Sequence, residues 1–167
     1  IKGLLIRSAK PAFVVGADIT EFVENFSMSD QQLAAWVSQT NELFCELENL
    51  PYPTVAAING MALGGGFELA LTADFRILAD TAKVGLPEVN LGLCPGWGGT
   101  VRLSRLIGIV DATAWIVSGR PQNAKVALTA GAVDRVVPAH SLREEALEML
   151  KQAANCEICY TENSARK

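Results

Sequence analysis

Histidine is almost missing from this 167-residue chain, which has one, His140, and four cysteines. Cys156 and Cys159 form a C-x-x-C, but a structural zinc site needs two further ligands and His140 is not placed to complete a convincing set, so no metal is expected. The cysteines, Cys45, Cys94, Cys156 and Cys159, are too sparse and too irregular for a disulfide framework. No basic-then-apolar leader precedes them, and a reducing, cytoplasmic setting is expected. Charge is also scarce: 19% of residues are charged and 50% hydrophobic, against roughly 25% charged in ordinary soluble domains. Part of the surface is therefore expected to be covered, by a second copy of the chain or by further domains. A net charge of -4 with no Lys/Arg cluster leaves no electrostatic footprint for nucleic acid. No apolar run is long enough to span a membrane, because the candidate at residues 54–79 carries Asn59, Glu68, Asp74 and Arg76 and is broken by glycines.

What is present reads as one α/β domain over residues 1–154, followed by a polar linker or tail at 155–167. Gly3 to Arg7 reads as a buried strand with no lead-in, as though an N-terminal part of the fold were missing. Ser29 and Gln32 fit a capping box, and Leu33, Trp36, Val37, Thr40, Leu43, Phe44, Leu47 and Leu50 follow at helical spacing until Pro51 and Pro53 stop them. Residues 54–58 form a continuous apolar run suited to a strand buried on both faces. A helix starts among Gly64, Gly65 and Gly66 and runs to Leu71, and residues 74–78 read as the next strand. This alternation favours parallel pairing. Further helices are predicted at 100–107, 111–117, 123–129 and 141–154, with an extended segment at 132–137.

The glycines do not make a nucleotide loop, since residues 60–66 lack the G-x-G-x-x-G spacing and no G-x-x-x-x-G-K-[ST] occurs. A strand followed by glycines at a helix start offers free N–H groups and a helix dipole, which suit developing negative charge. Gly65, without Cβ, would let a carbonyl approach its N–H, and the loop Val15-Gly16-Ala17-Asp18 offers a second donor. The same glycines could serve only to pack a helix against a strand. Two carboxylates lie close by in sequence. Glu68 is in the first turn of the glycine-started helix and Glu88 follows Gly85-Leu86-Pro87 in an apolar setting. A pair with separated pKa values can divide base and acid roles; equally, Glu68 could be a favourable N-terminal helix charge and Glu88 a cap after Pro87. Arg102, inside an apolar helix, reads as a structural partner, and Cys94 and Trp97 as residues lining or buttressing a pocket.

Three ordered motifs carry a resemblance. Val15-Gly16-Ala17-Asp18-Ile19, then Ala56-Ala57-Ile58-Asn59-Gly60 with Ala62-Leu63-Gly64-Gly65-Gly66-Phe67-Glu68-Leu69-Ala70, and then Gly85-Leu86-Pro87-Glu88-Val89 with Pro95-Gly96-Trp97-Gly98-Gly99-Thr100 are similar to the crotonase (enoyl-CoA hydratase/isomerase) superfamily. Within it they resemble the multifunctional branch of bacterial fatty-acid oxidation. The resemblance implies a ClpP/crotonase-like spiral of ββα units. It implies a thioester carbonyl held by the N–H groups of Ala17 and Gly65, water activated by Glu68, and a proton delivered by Glu88. The activity implied is syn hydration of a 2-enoyl-CoA to a 3-hydroxyacyl-CoA in β-oxidation, with 3-enoyl to 2-enoyl isomerisation as a second activity; a non-catalytic acyl-CoA-binding or assembly module is the alternative. No cofactor beyond the coenzyme A of the substrate is implied, and Lys10 is a candidate for a CoA phosphate. The partners implied are a homo-oligomer, or further domains of a multifunctional chain with a thiolase.

Overall fold

The computed structural model describes residues 1–16 and 27–161. Its frame is a four-stranded parallel sheet of β1 (Leu4–Arg7), β2 (Thr54–Ile58), β4 (Phe75–Ala79) and β7 (Arg135–Val137), in the order β1-β2-β4-β7. Every residue of β2 and β4 is buried, which is why both read as unbroken apolar runs instead of alternating ones. A smaller sheet joins β3 (Ala62–Leu63), β5 (Lys83–Gly85) and β6 (Gln122–Asn123), with β3 parallel to β5 and β5 antiparallel to β6. From β2 to β5 successive strands alternate between the two sheets. β2 is followed by β3 and then helix α2 (Gly65–Thr72), and β4 by β5 and then a 3-10 turn at Glu88–Leu91. Val14, after β1, starts the series with a parallel bridge to Ala62. This is the crotonase-like spiral of ββα units.

The first helix, α1 (Asp30–Glu48), begins with the expected capping box: Ser29 Oγ accepts from the Gln32 N–H, and Gln32 Oε1 accepts from the Ser29 N–H at 3.0 Å. It ends two residues before the expected Leu50, with Asn49 as its cap. None of its residues is buried, so its apolar face serves a cavity and not the core. The later helices are α3 (Gly99–Ile107), α4 (Ile109–Ser118), α5 (Ala124–Ala130) and α6 (Leu142–Ala154). Asn123 caps α5 by accepting from the Val126 N–H at 3.0 Å and so lies before the helix, not in it. The extended segment is shorter than the predicted 132–137. Asp134 turns back on Arg76, donating its N–H to the Arg76 carbonyl at 2.9 Å, so the ladder starts only at Arg135. Two- and three-residue strands carry too little periodicity to be seen in a sequence, and the small sheet was not predicted for that reason. After α6, Ile158 and Tyr160 pack against the core. Among the described residues no helix is long and apolar enough to cross a membrane.

Buried Phe67, Ile58, Leu71, Ile77, Leu78 and Leu103 make the centre of the core. Charge enters it only with partners. Arg76 bonds to the carbonyls of Ala73 (2.6 Å) and Ala132 (3.1 Å) and pairs with Asp134 at 3.1 Å, which fastens β4 to the segment leading into β7. Asp74 Oδ2 accepts from both the N–H and the hydroxyl of Thr54 (2.7 and 2.8 Å), joining the starts of β4 and β2.

The close approach of α2 to the loop after β1 depends on Gly66, where a Cβ would overlap the backbone carbonyl of Val14. Helix propensity favours alanine over glycine by about 1 kcal/mol, but that carbonyl is fixed by the Leu63 N–H at 3.0 Å and cannot give way cheaply. Gly66→Ala is therefore expected to be destabilising by about 1–3 kcal/mol, read as a lower urea midpoint. An unchanged or raised midpoint would show that propensity wins.

Candidate active site

The site is built where the second ββα unit turns from strand to helix. Gly64, at φ +55° and ψ -131°, holds a backbone conformation that a side chain would resist, and its N–H donates to the Gly85 carbonyl at 2.9 Å. That bond ties the turn to the end of β5. Gly65 then opens α2, where an N–H has no intrahelical acceptor, and a Cβ at this position would overlap the Trp97 ring. Gly64, Gly65, Val15 and Gly16 are among the residues lining a cavity of about 300 Å³. Ala17, the expected second donor, lies outside the described residues.

Glu68 reaches the same cavity from the fourth position of α2 and is 1% exposed. Sequence alone allowed it to be a helpful charge on its own helix. It instead serves the next one: Oε1 accepts from the N–H of Trp97 and from the N–H of Gly99, each at 2.8 Å, and Gly99 is the first residue of α3. Burial pushes its pKa above the ordinary value of 4.5, while the two N–H donors and the Arg102 guanidinium oppose that rise. Both donors engage Oε1, and neither engages Oε2.

Glu88 opens the 3-10 turn after Pro87 and is half-buried. Its Oε2 is inaccessible and has no hydrogen-bond partner. Burial pushes its pKa up to about 7; its own backbone N–H lowers it against that, and the negative charge of Glu68, the smallest of the three causes, raises it. The two carboxyls thus face one cavity in unlike surroundings. Glu68 is clamped through one oxygen by two backbone donors, whereas Glu88, its pKa raised to about 7, keeps one oxygen without a donor.

Cys94 and Trp97 line the cavity, as expected. Lys10 does not: it is exposed on the loop after β1, and its carbonyl accepts from Asn59 Nδ2 at 2.7 Å. Cys156 and Cys159 are exposed thiols, and among the described residues no group of three or more His, Cys, Asp or Glu side chains could hold a metal ion. Sequence reasoning missed the contribution of α1. Leu33, Trp36 and Val37 also line the cavity, Asn41 Nδ2 donates to the Gly96 carbonyl at 2.8 Å, and Trp36 and Phe44 pack edge-on against Trp97 with ring centroids 5.7 and 5.9 Å away. The helical face was legible. What it faces, more than fifty residues later, was not.

A two-sheet ββα spiral with a glycine-opened helix and two carboxyls on one cavity defines a crotonase-fold protein. The chain belongs to the enoyl-CoA hydratase/isomerase family, whose model matches residues 1–162. It is 54% identical over 158 residues to the fatty acid oxidation complex subunit alpha of Pseudomonas aeruginosa, covering 95% of this chain and 22% of that protein. It is 53% identical to the protein of the same name from Acinetobacter baylyi, covering 92% and 21%. The chain therefore spans about a fifth of the length of these curated relatives. Among solved structures, the enoyl-CoA hydratase of Bacillus anthracis superposes with a TM-score of 0.83 at 42% identity, covering 91% of this chain and 58% of that one.

Proposed function

We propose that the chain carries the hydratase site for 2-enoyl-CoA thioesters, adding water to give 3-hydroxyacyl-CoA. The observation that carries this reading is the pair of carboxyls in unlike surroundings on one cavity, Glu68 clamped through a single oxygen and Glu88 with an unpartnered oxygen and a pKa of about 7. The thioester carbonyl lies at the start of α2, with its oxygen on the Gly65 N–H and, by family likeness, on the N–H of Ala17. Glu68 takes a proton from water through Oε2 as the water oxygen bonds to C3. The double-bond electrons move to the thioester oxygen as enolate charge, which the N–H donors and the helix N-terminus stabilise, each such donor being typically worth about 10²–10³ in rate. C2 then takes the proton of Glu88. Both carboxyls serve the same face, which gives syn addition. Every proton comes from water or a carboxyl, and the scheme uses no cofactor beyond the substrate's own coenzyme A.

Isomerisation of 3-enoyl to 2-enoyl thioesters is a second activity open to the same pocket, because a carboxyl poised near pH 7 can both remove and return a carbon-bound proton. The relatives named as complex subunits support a place for this chain within a multifunctional fatty-acid oxidation assembly. The test is direct. Crotonyl-CoA mixed with the protein should lose its conjugated-thioester absorbance, with 3-hydroxybutyryl-CoA as product. Binding of crotonyl-CoA with no loss of absorbance would overturn the hydratase reading in favour of a non-catalytic acyl-CoA module.

A further inference from the structure

Arg102 does not line the cavity, yet its guanidinium grips the loop whose N–H groups hold Glu68. It is 5% exposed. Its Nη1 donates to the Trp97 carbonyl at 2.9 Å, and its Nε and Nη2 donate to Glu48 Oε2, in the last turn of α1, at 3.1 and 2.7 Å. Nη2 also lies 3.7 Å from Cys45 Sγ. The carbonyl that it grips belongs to the peptide joining Trp97 to Gly98. The N–H groups that clamp Glu68 lie on either side of that peptide, one on Trp97 and the other on Gly99. Gly98 makes the grip possible, since it holds φ +92° and a Cβ there would overlap Arg102 Nη1.

A purely structural ion pair between α1 and α3 would need none of this. Glu48 alone would satisfy it, and the contact to the Trp97 carbonyl would be incidental. The guanidinium instead spends one nitrogen on the centre of the loop whose N–H groups face Glu68, and we infer that Arg102 is a positioning residue, locking the Trp97–Gly98 peptide so that two backbone donors converge on one oxygen of Glu68. The inference rests on the reading of Glu68 as the base of hydration. The guanidinium also favours the charged form of Glu68, and Glu48 moderates that effect by pairing with it. Among charged side chains, Arg102 on α3 is the one that favours ionisation of Glu68, after the Gly99 and Trp97 N–H groups; Glu48 on α1 pairs with that guanidinium, and Glu88 on the 3-10 turn lines the same cavity.

The test is the pH profile of kcat/KM for crotonyl-CoA hydration, whose acid limb reports ionisation of the base in the free enzyme. Arg102→Met should move the acid limb to higher pH and lower kcat by roughly 10²-fold with KM little changed, because a misplaced group costs rate more than binding. Arg102→Lys, which keeps the charge but cannot bridge Glu48 and the Trp97 carbonyl, should return the limb towards its parent position while leaving kcat low. Glu48→Gln keeps an acceptor and removes the opposing charge, and should move the limb in the other direction, to lower pH. An acid limb that stays in place in a folded Arg102→Met protein overturns the inference. If that variant does not fold, an unmoved limb in Glu48→Gln overturns it. Glu68→Gln is run in the same assay: loss of rate there with unmoved limbs in the other variants overturns the positioning role alone, whereas full rate in Glu68→Gln overturns the base assignment and this inference with it.

Discussion

Glu88→Gln should hydrate crotonyl-CoA about 10²–10⁴-fold more slowly than the parent, the usual worth of a positioned acid or base. The amide has the shape of the carboxyl and keeps its place against the turn at Gly64, but it has no proton to give C2. The pH dependence provides a second check. The protonated form of Glu88 is the useful one and its pKa lies at about 7, so the parent's rate should fall as pH rises through that region and the variant's residual rate should not. Stability carries the same sign. A carboxyl raised from 4.5 to about 7 on folding binds its proton more tightly in the folded chain, so its contribution is complete below about pH 4.5 and is lost as pH rises through 7. Urea midpoints across that window should fall less steeply for Glu88→Gln than for the parent. A variant with the parent's rate and alkaline limb would remove Glu88 from the chemistry.

Glu68→Gln is expected to cost a similar factor of about 10²–10⁴ in rate, and for a different reason. The amide oxygen can still accept from the Trp97 and Gly99 N–H groups, so the start of α3 should survive. Burial no longer opposes a charge, so the variant should be at least as stable as the parent. Glu68→Ala separates clamp from base: it leaves the buried Gly99 N–H without an acceptor, at about 1–3 kcal/mol, and the part-buried Trp97 N–H with it, and should lose stability as well as rate. In the glutamine variant the negative charge that raises the Glu88 pKa is also gone, so any remaining alkaline limb should lie at lower pH. If the glutamine variant instead unfolds while keeping its rate per folded molecule, the carboxylate is a helix fastener and not a base.

Much of the frame was legible because its signals are local. The apolar runs of β2 and β4, the capping box of Ser29 and Gln32, and the glycines that open α2 each declare themselves within a few residues, and their positions survive in the structure to within a residue or two. Glu68 and Glu88 could be picked out by the apolar sequence around them, since a carboxyl there must be desolvated or partnered. The partners could not. The N–H groups on Glu68 come from some thirty residues away, and the Glu48–Arg102 pair spans 54 positions, distances over which a single sequence carries no pairing signal. Backbone donors are a further blind spot, because any residue type can supply an N–H. The small sheet was missed on length alone.

The first helix has no buried residue of its own, yet it presents Leu33, Trp36 and Val37 to the cavity. Whatever apolar chain occupies that space becomes the missing filling of a hydrophobic seam. Each methylene removed from water there, at about 0.8 kcal/mol, acts on guest and helix together, so affinity and anchorage of the helix are a single linked quantity. Departure of the guest unzips the seam that it had closed, and release is thereby written into the same three side chains as capture.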